Sequence, residues 1–230
     1  MKKLIGSLCA IVLTAGTVAY AQDTAKLQDR LNDATTVLHD IMATPDKGIP
    51  QQILSGASCV AVIPSYKKAA FVVGAAYGQG VATCRTRHGW SAPSFVRLAG
   101  GSVGFQIGGQ ATDLVLVAMN DRGMQDMLAS KLKLGGTASV SAGPVGRTAS
   151  AATNWKLQSE FLSYSRSKGV FAGIDLSGSD FSQNKDDNRT FYGSDIPMSS
   201  LLGGKVPVPA GARRFVRTVA HYFVVSKANS

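Results

Sequence analysis

Glutamate is all but missing from this chain: Glu160 is the single one in 230 residues. Histidine is nearly as scarce, and His39, His88 and His221 lie far apart. No H-x-x-x-H or H-x-E spacing exists to hold a metal on one face of an element. Cysteines without clustered histidines argue equally against a structural zinc site. Asp186-Asp187-Asn188 has the start of a calcium loop but lacks its glycine and its distal glutamate, which leaves a solvated turn. After residue 21 no stretch approaches the roughly 18 uninterrupted apolar residues of a spanning helix. Even Leu114–Met119 is bounded by Asp113 and Asn120. No catalytic residue, metal ligand or cofactor follows from this inventory.

What is present begins with a leader. Met1-Lys2-Lys3 is a short positive start, Leu4–Val18 is apolar, and Ala19-Tyr20-Ala21 has the small-x-small form that signal peptidase cleaves. The expectation is a signal peptide over 1–21 and a single exported domain over 22–230, periplasmic or secreted. Without Lys2 and Lys3 the 24 basic residues become 22, set against 14 acidic ones. In that compartment a basic surface meets anionic lipid headgroups, lipopolysaccharide phosphates and wall polymers, and little nucleic acid. Cys59 and Cys84 remain after processing. They either bridge neighbouring strands, as the oxidising compartment favours, or stay as buried thiols.

Leu27, Leu31, Ala34, Val37, Leu38, Ile41 and Met42 recur at spacings of three and four, which predicts an amphipathic helix over Thr24–Ala43 stopped by Thr44-Pro45. Ile49–Leu54 reads as a short second helix with Pro50 in its first turn. Short β-branched runs follow at Cys59–Ile63, Ala69–Gly74, Gly80–Arg85, Ser94–Leu98, Val103–Ile107 and Leu114–Met119, and they predict an antiparallel meander. Asn120-Asp121 caps a helix through Met124, Met127 and Leu128. Strand character resumes over Leu132–Ser141, Lys156–Ser165 and Val170–Leu176, with a tight turn at Gly143–Arg147. Ser177–Asp195 is expected to be a loop with a short helix. A last helix, about 209–225, carries Phe215, Val219 and Phe223 on one side and Arg213, Arg214, Arg217 and His221 on much of the other.

Gly100–Gln110, reading GGSVGFQIGGQ, matches the G-x-S-x-G nucleophile elbow around Ser102. An elbow needs a helix directly after the serine, and a phosphate loop needs one directly after the glycines. Val103, Phe105 and Ile107 alternate instead as in a strand, and Leu114–Val117 continues that pattern. The glycines are therefore assigned to bends and close backbone approach. A serine esterase remains a distant third reading.

Several fragments in one order resemble the SYLF-domain family, the lipid-binding, actin-bundling type of domain. They run from about Ile49 to Tyr192 and include Val60–Pro64, Lys67–Phe71, Gly89–Ser94, Leu134–Gly136, Ala142–Arg147, Tyr164–Gly173 and Phe191–Gly193. The resemblance implies a non-enzymatic binder of anionic lipid, since eukaryotic members bind phosphoinositides and some bundle actin. The expected fold is α+β: a curved, mostly antiparallel sheet or partly closed barrel, with an N-terminal amphipathic helix and a C-terminal helix. The expected ligand is an anionic phospholipid headgroup or membrane surface. Candidate contacts are the cations near strand turns, Lys67, Lys68, Arg147, Arg166 and Lys168, each attracting an anionic surface by about 1 kcal/mol. Trp90 is expected to anchor a packed turn or to lie at a lipid-facing edge. The alternative is a structural or protein-interaction module of the envelope, with a protein partner.

Overall fold

A computed structural model describes residues 5–43, 48–144, 159–167 and 170–224; for 5–21, 69–74, 102–110 and 171–173 it describes the backbone alone. Helix α1 spans Ile5–Met42. It includes most of the predicted Thr24–Ala43 segment and extends upstream into the stretch assigned to the leader. Leu27, Leu31, Ala34, Val37, Leu38 and Ile41 are all buried, so the three-and-four spacing does mark the face that docks. Helix α2, Gln51–Gly56, follows Pro50 and buries Ile53 and Leu54.

The predicted meander is corrected in one important way. Cys59–Ile63, Ala69–Gly74 and Gly80–Arg85 are parts of a single strand, β1, covering Cys59–Thr86. After the two-residue β2 (Gly89–Trp90), the next three runs form another long strand, β3, covering Ser94–Ala118. The two pair antiparallel from Cys59↔Ala118 to Ala82↔Ser94, with register shifts between Ile63 and Tyr66 and between Ala70 and Val72. Glycine and lysine interruptions that read as turns are bends inside one ribbon.

That ribbon doubles back, bringing the two ends of β1 side by side. The Arg85 amide donates to the Ser58 carbonyl at 2.7 Å. Cys59 and Cys84 form a disulfide with Cα atoms 3.9 Å apart. The bridge is thus not between separate strands but between the two ends of one. Gly78 and Gly80 lie where the limbs cross, against Ile63 and Val62.

Helix α3, Asp121–Leu128, begins as predicted, with Asn120 Oδ1 accepting from the Gly123 amide at 2.8 Å. The predicted strand Leu132–Ser141 is split: β4 is Lys131–Lys133 and β5 is Val140–Ala142, separated by a turn in which Gly135 has φ +73°. β6 is Phe161–Ser167 and β7 is Val170–Gly173. Ser177–Asp195 contains a strand that the sequence did not reveal, β8 at Asp180–Gln183, before helix α4 at Lys185–Tyr192. Helix α5 (Met198–Leu202), a 3-10 turn (Ala210–Ala212) and helix α6 (Arg213–Tyr222) complete the described chain.

The end of β3, Asp113–Ala118, pairs with β6, and Val96–Ala99 near its start pair with β8, which in turn pairs with β4. β6 also pairs with β7 antiparallel and with β5 parallel. The result is the curled, mostly antiparallel sheet expected, clasped by an N-terminal and a C-terminal helix. Alternate residues feed two cores. Val60, Val62, Val115 and Val117 pack with α1, α2 and α6. Cys59, Ala61, Ile63, Leu114 and Leu116 line the opposite face with Phe181 and Met127. Both faces are buried, so these strands read as continuous apolar runs.

Candidate anion-binding site

Ser102 lies in mid-strand, paired with Gly74, and Gly108 and Gly109 pair with Ala70 and Ala69. β3 continues to Ala118, and the next helix begins at Asp121. Neither the strand–turn–helix of an esterase elbow nor a helix-capping phosphate loop is formed, as the alternation of Val103, Phe105 and Ile107 implied. Among the described residues no three histidine, cysteine or carboxylate side chains group closely enough to hold a metal.

Of the cations singled out in the sequence, the three that are described, Lys67, Lys68 and Arg166, do not converge. Arg147 and Lys168 lie outside the described residues. Lys67 is exposed and lines a 360 Å³ cleft with Asp29, Asp33, Lys26 and Arg30 of α1. Lys68, next along β1, points to the other face, where its Nζ lies 6.0 Å from the Tyr66 ring. Asp175 on that side has its carboxyl pulled below the usual range, chiefly by hydrogen bonds from Ser177, with Lys68 adding to the effect. Arg166 holds the fold together: Nη1 contacts Asp40 of α1 at 2.7 Å and Asp113, its cross-strand partner, at 3.9 Å. Trp90 is buried, edge-on to Phe223 and beneath the Arg85 guanidinium, so it anchors the turn.

Convergence occurs elsewhere, on the strand the sequence hid. Ser182 of β8 is in register with Arg97 of β3 on one side and Lys131 of β4 on the other. Directly opposed residues share a face, so Arg97, Ser182 and Lys131 form a row whose ends are about 10 Å apart at the Cα atoms. A cleft of 520 Å³ runs over this row, lined also by Ser130 and by Lys185 and Arg189 of α4. Asp186 is its one carboxylate. Arg189 is tied to Asp195 at 2.9 Å, whereas Lys131 and Lys185 have no ion pair with a described residue. Arg97 Nε is buried without an acceptor, and its Nη2 makes a long 3.4 Å contact to Asn184. One pleat along, Asp180 stands in register with Lys133, so that row balances its own charge and the Ser182 row does not.

A second cationic surface is the wet face of α6. Phe215 and Val219 are buried, while Arg213, Arg214, Arg217 and His221 are exposed. None of the three arginines has an ion pair with a described residue. The helical side of this surface was legible in the sequence. The β8 row was not, because its register depends on a strand with one apolar residue.

The fold defines an α+β domain whose curled, half-barrel sheet is built on its own long, doubled-back hairpin and covered by terminal helices, with cationic surfaces on the outside. The chain belongs to the Ysc84 (SYLF) family: the family model described as "Las17-binding protein actin regulator" matches residues 99–222. It is 39% identical over 170 residues to SH3 domain-containing YSC84-like protein 1 of Rattus norvegicus, covering 73% of this chain and 50% of that one. The human protein of the same name is 38% identical over 170 residues, covering 73% and 49% respectively. Protein YSC84 of Saccharomyces cerevisiae is 36% identical over 176 residues, covering 75% of this chain and 37% of its own length. The chain thus matches about half or less of each of these relatives.

Proposed function

We propose that this protein is a non-enzymatic module that binds anionic phospholipid surfaces reversibly in a bacterial envelope, after removal of residues 1–21. The observation that carries the reading is the arginine face of α6, which has no ion pair with a described residue. Arg213, Arg214 and Arg217 stand on a helix whose other side is locked into the core, so the backbone that presents them is ordered before binding and only side-chain freedom is lost. Three exposed guanidiniums at a lipid surface contribute on the order of 1 kcal/mol each, and they bind phosphate in forked pairs that lysine cannot make. The relatives that carry the family's name are about one and a half to two times as long as this chain, and actin would be foreign to the compartment proposed here.

The test is co-sedimentation of the full mature chain with phosphatidylcholine vesicles of rising phosphatidylglycerol content, at several salt concentrations. Binding should rise with the anionic fraction and fall with salt, because exposed charges are screened beyond about 10 Å at 0.1 M. Absent or salt-insensitive binding, with cross-linking in cells recovering a protein instead, would favour the protein-interaction module.

A further inference from the structure

The Ser182 row has features that a diffuse cationic surface does not require. Three cations reach it from three elements: Arg97 from β3, Lys131 from β4 and Lys185 from α4. Ser182 stands between Arg97 and Lys131, Ser130 also lines the cleft, and the Arg97 Nε–H is buried with no acceptor among the described residues. A buried guanidinium N–H without an acceptor costs stability, so the fold maintains a donor that nothing in the described chain satisfies. A carboxylate would be satisfied by one forked arginine. Donors spread across about 10 Å of sheet suit an anion with three or four acceptor oxygens and more than one charge.

We propose that this cleft is a binding site for a phosphate group, with Arg97 and Lys131 flanking it across Ser182 and Lys185 closing it from α4. The phosphate belongs either to a lipid headgroup, in which case the site deepens the membrane reading and rests on it, or to a soluble phosphate ester. Asp186, the cleft's own carboxylate, disfavours binding of general anions and so raises the demand for several simultaneous contacts.

The experiment is a titration of the isotope-labelled mature chain with sn-glycerol 3-phosphate at constant ionic strength, followed through the backbone amides of Ser182, Gln183 and Lys185. Saturable shifts are expected there. Affinity should fall about tenfold for each cation removed in Lys131→Gln and Lys185→Gln, both at exposed positions, and also in Arg97→Gln. Phosphatidylglycerol vesicles that displace the ester assign the phosphate to a headgroup, and vesicles that bind without displacing it assign it to a soluble ester; either result upholds the site. Shifts reproduced by chloride, or undiminished in the Lys131→Gln/Lys185→Gln variant, overturn it. Failure of the wild-type chain to bind vesicles would remove the membrane reading and leave the ester titration standing.

Discussion

Gly80 lies so close to Val62 that a Cβ added at residue 80 would meet the Val62 carbonyl oxygen at 2.0 Å. Both residues belong to β1, eighteen positions apart, and their contact is where the strand crosses itself. No side chain can be accommodated there without separating the limbs, because the obstructing atom is backbone. Gly80→Ala should therefore destabilise the protein by about 1–3 kcal/mol, the range of core overpacking, and toward its upper end because the obstruction is backbone. Urea denaturation of the two chains checks this, and an unchanged midpoint would mean that the limbs do not cross so closely.

The same crossing is tied by Cys59–Cys84, which closes a loop of 25 residues. A cross-link over that span stabilises by about 3 kcal/mol through the entropy it removes from the unfolded chain. Cys59→Ala/Cys84→Ala should lower the thermal midpoint, and a reducing agent should lower the wild-type midpoint comparably while leaving the variant's unmoved. A midpoint indifferent to reductant would show that the bridge does not form.

The two clasping helices were legible because they depend on periodicity alone: the α1 face from Leu27 to Ile41 and the α6 face of Phe215, Val219 and Phe223 follow from spacing. What escaped depends on distant partners. Gly74, Gly100 and Gly101 resemble turn residues, yet each sits in a ladder whose strength comes from the opposite strand. β8 offers only Phe181 as an apolar residue, and its strand state is imposed by β3 and β4. The Arg97–Ser182–Lys131 row joins residues up to 85 positions apart, so only register could assemble it.

A carboxyl pair beneath α3 gives a pH signature. Asp126 has its carboxyl raised above 3.8, first by burial and then by the neighbouring Glu160, with Arg122 opposing. Glu160 is held by Arg122 at 2.6 Å and accepts from the Ser139 amide at 2.5 Å, whereas Asp126 Oδ2 is buried without a partner. A folded-state value above the unfolded one means that the protonated form is favoured by folding. That contribution is complete below the unfolded value of 3.8 and is lost as pH rises through the folded value. Asp126→Asn should match the wild type near pH 3 and exceed it in urea resistance at about pH 7. A variant less stable than wild type at neutral pH would contradict the sign.

The α6 face and the β8 cleft make separable demands, which a charge series can expose. Arg213, Arg214 and Arg217 are exposed and contribute nothing to the core, so Arg→Gln at all three should leave the denaturation midpoint within about 0.5 kcal/mol of wild type. Vesicle affinity should nonetheless fall about fivefold per substitution, since each exposed cation contributes about 1 kcal/mol at an anionic surface. The salt dependence should flatten together with the affinity, because fewer charges remain to be screened. Arg166→Gln supplies the contrast: it breaks the contact to Asp40, so it should lower stability while leaving vesicle binding nearly intact wherever the protein stays folded. If the Arg166 variant weakened lipid binding and the α6 triple variant did not, Arg166, one of the strand-turn cations named from the sequence, would belong to the membrane-facing surface, and α6 would be only a structural clasp.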